Sequence, residues 1–515
     1  MNDILKEAGV TTLLRMPEEW DKEAEVVVVG FGGAGAAAAM EAHDAGADVL
    51  ILEKMAVPGG TTRMSGGGIY CGGTSLQKEL GIEDSTEEVY KFFMAAANLD
   101  GKLTADPELM KIVAERGSET FEWCRELGIT FPAHLWQTPP HFHIPKPGLS
   151  MVGNERYPDF ASITPPNYRS HWCDGVGHAL FEALEAAVYK RHIECLNETP
   201  ARSLIANSRG EVQGVLAEGR EKSLYIKSKK AVILTTGGSG YNKWLVKGLP
   251  RSYAAIESPS KQITLSNTGD GIAMALALGA DYWANDGACA LPMGFLVPYY
   301  IPALGLFWQQ PRVFVNKYGK RYVNEDWYMA MHSIYLGKQD DMIGWAIVDD
   351  KVVTALGKEA IMGSISRGNV VQAESIKDLA RAIGVDSEGL EGTISMWNAN
   401  VATGKDPEWS RDWGLEPLNT APFYATRMLF VEGNESTGVK INTKAQVVSL
   451  TGEPIPKLYA AGRTSGGQYG ELYPGCGTSI ITCLIFGRIA GKSAAANGFG
   501  DFVLPKEKEL REVIR

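Results

Sequence analysis

The chain has 515 residues, 45% of them hydrophobic and 22% charged, and its 50 Lys and Arg against 61 Asp and Glu leave a net charge of −11. That length exceeds a single core and points to two or three domains, while the acidic balance argues against nucleic acid as a partner. No run of about 20 apolar residues occurs, so no spanning helix is expected; the polar start does not read as a signal peptide, and the seven scattered cysteines form no CxxC pair, haem motif or iron–sulfur run, so reduced thiols and a cytoplasmic location are expected.

Residues up to about 25 make a weakly specified lead with some helical character. The first strong signal is Val26–Val29, an apolar strand, followed by Gly30-Phe31-Gly32-Gly33-Ala34-Gly35 and an Ala-rich helix. A second strand, Val49–Leu52, closes on Glu53-Lys54. Gly30 permits a tight turn, Gly32 lets backbone approach a pyrophosphate, and Gly35 lets helix pack on strand. The helix start offers free N–H groups and partial positive charge to phosphate, and Glu53 can accept from a ribose. Strand, glycine turn, helix and acid together predict a dinucleotide site.

Pro58 to Gly68 is a second loop rich in glycine and hydroxyls, holding Gly60, Thr61, Thr62, Ser65, Gly67 and Gly68. A flavin dinucleotide needs such a loop to thread its long arm and ring; a nicotinamide does not. A flexible surface loop is the plain alternative. Ser85–Gly128 carries apolar residues at helical spacing, with Pro107 near a helix start where a missing N–H costs little. Pro132–Pro166 is expected as a long irregular loop, either a surface excursion or a flap beside a substrate cleft. His141 and His143 within it lack a third ligand, so no metal site is assigned. Gly177–Lys190 reads as a helix and Ile193–Lys230 as a β-meander. Ala231–Gly240, Thr268–Ala275 and Leu458–Arg463 are further segments carrying glycine turns, two of them strands and one a small-residue helix start. These imply an α/β fold: a Rossmann-like dinucleotide domain over 1–285, an inserted α+β cap over 286–429, and a return segment over 430–515.

The fingerprint, Gly59–Thr62, Ala231–Gly238, Thr268–Ala275, the turn-and-strand stretch Phe314–Glu325 and the stretch Leu458–Gly491 occur in an order that resembles the FAD flavoproteins of the fumarate reductase and 3-ketosteroid dehydrogenase group. The resemblance implies FAD, held by Gly30, Gly32, Gly33, Ala34, Gly35, Glu53, Lys54, Gly60, Thr61, Thr62, Ser65, Gly67, Gly68, Ala201, Thr236, Gly237, Gly238, Asn242, Asp270, Gly462, Arg463, Thr478, Ser479 and Ile480. The family's covalent tether is a His after the Gly-Gly-Thr loop. Arg63–Gly67 contains none, so the FAD is expected to be non-covalent.

The same resemblance directs attention to three catalytic candidates. Fumarate-type reductases place a proton-donating Arg where this chain has Met329, and Tyr328 instead matches the ketosteroid-like branch. A phenol has a reference pKa near 10, so Tyr328 is a competent donor that needs help as a base; as a plain core aromatic it needs only a partner for its hydroxyl. Tyr473 and Gly477 match a segment in which a Tyr hydroxyl and a Gly N–H bind a ketone oxygen, with Cys476 where the family often has Pro. The apolar stretch Leu291–Trp308, with no His or Arg up to Gln310, suits a large flat hydrophobic ketone; cap core packing is the plain alternative. The expected activity is Δ1- or Δ4-3-ketosteroid dehydrogenation or reduction by hydride transfer to or from flavin, with an unidentified electron partner. The alternative is an enoate reductase for fumarate, urocanate or an aryl acrylate, using Arg463 for a carboxylate and Arg321 for protons. A non-catalytic flavin subunit, docking through the charged tail Lys506–Arg515, is the third reading.

Overall fold

The computed structural model describes residues 2–11, 16–136, 147–258, 264–292, 311–431 and 436–496. The valine run forms the inner strand β1 (Lys22–Val29), which enters helix α1 (Gly33–Asp44) and returns as β2 (Val49–Leu52) parallel to β1. All of Val26–Val29 and Val49–Leu52 are buried, as expected of parallel strands covered on both faces. On its other side β1 pairs in parallel with β3 (Ser223–Leu234), which pairs with β4 (Pro454–Ala460). Gln446–Val448 and Glu194–Leu196 close the two edges of the sheet.

The meander expected over Ile193–Lys230 is present, and its last strand does double duty. Ser223–Lys227 of β3 pairs antiparallel with Val212–Glu218, while Ala231–Leu234 of the same strand sits in the central sheet against β1. Helix α2 (Thr478–Ala495) lies across α1. Their axes come close because both contact faces are small: a Cβ on Gly487 would lie 2.5 Å from the Ala34 carbonyl oxygen, and one on Gly491 would lie 2.1 Å from that of Ala38. The lead carries a short helix, Asn2–Ala8.

The stretch expected as one long loop contributes structure. Gly148–Ser150 pairs with Ser170–Trp172, which pairs with Gly68–Tyr70, and Leu135–Trp136 completes this small sheet. His141 and His143 lie outside the described residues, as do the tail and Met293–Trp308 of the apolar stretch.

The cap is a five-stranded sheet in which Phe423–Val431 pairs with Cys289–Pro292, Gly344–Asp349 and Val370–Ala373, and Arg312–Asn316 lies outside Gly344–Asp349. Phe423–Val431 runs through residue 429, where the sequence reading ends the cap. The cap also holds a buried ion cluster. Arg321 holds Glu325 and Asp406, Arg411 holds Glu325 and Asp326, and both guanidiniums pack on the Trp397 ring at 5.0 and 4.9 Å.

Candidate active site

The β1–α1 turn forms as its residue types dictate. Gly30 has φ +105°, and a Cβ there would lie 2.4 Å from the Thr235 carbonyl oxygen. Gly32 caps α1 with no side-chain hydrogen bond, and a Cβ there would meet nothing nearer than the Gly59 oxygen at 3.7 Å. Gly33 N donates to Thr62 Oγ1 at 3.1 Å, bringing the second glycine loop against the helix start. Glu53 is buried and accepts from Phe31 N and Met55 N, both at 2.8 Å. Burial pushes its carboxyl upward despite these amides and the neighbouring Lys54.

Around this turn the other segments close a ring. Lys54 Nζ donates to Thr268 Oγ1 at 2.8 Å and Asp270 Oδ2 at 3.0 Å. Asn267 donates to Thr61 Oγ1 at 2.8 Å and accepts from Gly238 N at 2.9 Å, and Gly237 sits against the same amide. Thr236 Oγ1 accepts from Gly271 N at 3.0 Å and lies 3.3 Å from Thr464 Oγ1. Gly462 packs on Ala34, Ser65 Oγ accepts from Gly67 N at 3.2 Å, and Gly68 lies under the Trp172 ring. Thr199 N donates to the Glu53 carbonyl at 2.8 Å, which sets the strand beginning at Ala201 beside the acid. Arg463 is half-buried in the turn Gly462–Thr464.

Two further candidates also tie the scaffold together. Asn242 Nδ2 donates to the carbonyls of Ile4 and Thr268, tying the lead helix down. Thr478 Oγ1 donates to the Gly475 carbonyl at 2.9 Å. The ring as a whole fits a flavin dinucleotide: no crowding at Gly32, where the nearest atom to a Cβ would be 3.7 Å away, a buried carboxylate at Glu53, and two helices whose N-cap glycines supply no capping side chain.

The second helix start carries the catalytic candidates. Gly477 precedes α2 with φ +103°, and a Cβ there would lie 2.7 Å from the backbone of Ile69 and Tyr70. Ser479 N donates to the Tyr473 hydroxyl at 2.9 Å, while Ile480 is half-buried at the next position. The Tyr473 ring lies 5.4 Å from Tyr469 and 6.3 Å from Tyr328, inclined 30° to the latter. Tyr328 stands just before helix Met329–Gly337, is 1% exposed, and has its hydroxyl 3.0 Å from Cys476 Sγ. Burial, then Cys476, Cys289 and Tyr473, push the Tyr328 phenol well above its ordinary range. Burial, then Tyr469 and Cys476, do the same for Tyr473, against the Ser479 amide. Both are therefore neutral hydrogen-bond donors at physiological pH.

Arg321 has bidentate contacts to Glu325 (2.9 and 2.7 Å) and to Asp406 (both 2.9 Å), which anchor its guanidinium in the cap core. The structure also adds residues that sequence reasoning missed. Asn154 Nδ2 donates to the carbonyls of Tyr473 (2.8 Å) and Pro474 (3.2 Å), and Tyr70 donates to the buried Glu155 at 2.7 Å. Asn154 and Tyr473 are 319 residues apart, so no local pattern marks them. All seven cysteines are free. Among the described residues no His, Cys, Asp and Glu cluster suits a metal, and no helix is long and apolar enough to cross a membrane.

The chain matches the FAD binding domain family over residues 25–480. The cytochrome-type fumarate reductase of Shewanella frigidimarina is 30% identical over 476 residues, covering 92% of this chain and 77% of the relative. Urocanate reductase of Eggerthella lenta is 30% identical over 492 residues, covering 93% and 76%. The crystal structure of 3-ketosteroid-Δ4-(5α)-dehydrogenase from Rhodococcus jostii RHA1 with 4-androstene-3,17-dione is 29% identical and superposes with a TM-score of 0.77 over 94% of this chain and 100% of that one. The chain therefore belongs to the FAD binding domain family and is an FAD-dependent oxidoreductase, related to the flavoproteins that reduce fumarate and dehydrogenate 3-ketosteroids.

Proposed function

We propose that this flavoprotein introduces or reduces a ring C=C beside the ketone of a 3-ketosteroid or a similar fused-ring enone. The reading rests on one observation: two buried phenols, Tyr328 and Tyr473, meet 6.3 Å apart beside the amino end of α2. The glycine ring from Gly30 to Gly68, with Glu53, Lys54 and the segments at Thr236, Asp270 and Gly462, would hold FAD without a covalent bond. FAD, when bound, supplies the two-electron acceptor or donor for the carbon from which hydride leaves or at which it arrives.

The protein's own groups handle the proton and the oxygen. Tyr328 exchanges a proton with the carbon next to the one that exchanges hydride. The Tyr473 hydroxyl accepts from Ser479 N, which leaves its own proton to donate to a ketone oxygen. The Gly477 N–H, at the positive end of the helix, is a second donor for that oxygen as it gains enolate charge. Both directions of the reaction use the same three groups. The enoate-reductase reading draws support from the 30% identity to fumarate and urocanate reductases. Against it stand Met329 at the position of the donor Arg and the commitment of Arg321 to Glu325 and Asp406.

The test is a panel of 3-ketosteroids with an artificial electron acceptor and, separately, a reduced donor, scored by turnover and by flavin difference spectra. Turnover of at least one ketosteroid is expected, reduced at least about a hundredfold in Tyr328→Phe. Turnover of an acrylate, together with no spectral response to any ketosteroid, overturns the proposal.

A further inference from the structure

The residue between Gly475 and Gly477 is held from both sides. Cys476 N donates to the Val152 carbonyl at 2.8 Å, and its carbonyl accepts from the fully buried Ser170 hydroxyl at 3.0 Å. Upstream, Asn154 grips the Tyr473 and Pro474 carbonyls. Downstream, Gly477 is pressed on the Ile69–Tyr70 backbone. With its backbone held on both sides, the thiol lies 3.0 Å from the Tyr328 hydroxyl.

The geometry points to Cys476 as the positioning residue that holds the Tyr328 phenol and donates its S–H to the phenol oxygen once that oxygen has lost its proton. The inference rests on the proton-transfer role proposed for Tyr328. Burial keeps the thiol protonated, pushing it up to about 12 against the contact with Tyr328, with Cys289 and Glu155 adding to the upward push. The titratable groups facing the pair are Cys289, Tyr473 and Glu155. A thiol offers one weak donor and a weak acceptor, so it can follow either state of the phenol. In reduction, the Tyr328 O–H bond breaks as the new C–H bond forms, and the electron pair left on oxygen takes an S–H···O contact. In dehydrogenation the same proton moves from carbon to oxygen. The sulfur keeps its own proton throughout, and the two electrons pass between the hydride carbon and FAD.

The experiment compares Cys476→Ala, Cys476→Ser and Tyr328→Phe in the FAD-loaded enzyme and reads the infrared S–H stretch in the same proteins. Cys476→Ala is expected to keep its flavin and melting temperature while kcat falls about tenfold or more at little-changed KM. Cys476→Ser, whose hydroxyl can also donate, is expected to recover most of that loss. The S–H band missing in Cys476→Ala should shift in Tyr328→Phe, because the hydroxyl that contacts the sulfur in the resting enzyme is gone. Wild-type kcat in Cys476→Ala, equal losses in the Ala and Ser variants, or an S–H band unmoved by Tyr328→Phe each overturns the inference. Full activity in Tyr328→Phe removes its premise and the proposed function with it. Lost activity in Tyr328→Phe beside wild-type kcat in Cys476→Ala overturns the thiol's role alone.

Discussion

Gly32 and Gly35 sit in the same turn, yet a side chain would meet different things at each. At Gly35 a Cβ would lie 2.0 Å from the Gly30 carbonyl oxygen; at Gly32 it would make only ordinary contacts, the nearest with the Gly59 oxygen at 3.7 Å. Gly35→Val should therefore fail to fold, whereas Gly32→Val should fold and melt like the flavin-free wild type but retain no FAD, as read by circular dichroism and by the flavin spectrum. A yellow Gly32→Val protein would move the pyrophosphate away from α1. Glu155 supports a second residue-scale prediction. Burial holds its carboxyl at about 7, against the hydrogen bond from Tyr70 and the charge of Arg169, where an exposed Glu has 4.5. The unfolded chain gives up this proton near pH 4.5 and the folded one near pH 7. Its contribution is thus fully present below 4.5 and lost as pH rises towards 7, by on the order of 3 kcal/mol. The melting temperature of Glu155→Gln relative to wild type should rise from pH 5 to pH 8; a constant difference would show that Glu155 does not titrate in this way. The glycine positions were legible because a turn is a local event. Glu155 was not, because what makes it unusual is burial among residues far away in sequence, such as Tyr70, 85 positions distant.

Among the elements, the cap depends on charges buried within it. Glu325 is fully buried, which alone would raise its pKa, but Arg321 and then Arg411 outweigh burial and hold it down to about 2. Its stabilising contribution is present above pH 4.5 and is lost as pH falls towards 2. Arg321→Met would leave Glu325 and Asp406 buried with one cation fewer, and should lower stability by roughly 3–5 kcal/mol in urea titration. A loss below about 1 kcal/mol would mean that water or Arg411 replaces the missing charge. The stretch from Phe314 to Glu325 was readable as a turn and strand through its resemblance to the family's motif. The partner that fixes Arg321, Asp406, lies 85 positions on, and nothing in the local pattern distinguishes a proton-moving Arg from a structural one. Gly148–Ser150 was missed for a related reason: three residues are too few to show alternation, and their strand character comes from Ser170–Trp172.

For the whole molecule, the alternation of strand and helix, the glycine turns and the long return segment made the architecture legible, because a parallel sheet imposes long apolar runs and fixed crossovers. The ring proposed to hold FAD draws on segments from Gly30 to Gly462, so on that proposal FAD binds the folded state and not the unfolded chain. Loading at a hundred times Kd should add about 2.7 kcal/mol to global stability, measured as a rise in melting temperature that grows with FAD concentration. A melting temperature independent of FAD would show that the ring is not the flavin's seat.

The closure of α2 on α1 also bears on how the protein comes to be made. A ribosome delivers the β1–α1 turn early and α2 only after the entire cap has emerged. Until then the alanine face of α1, which is fully buried in the finished molecule, has no cover. The nascent chain must carry that bare groove through most of its synthesis, so chaperone occupancy and vulnerability to proteases should end when residues 478–495 leave the exit tunnel.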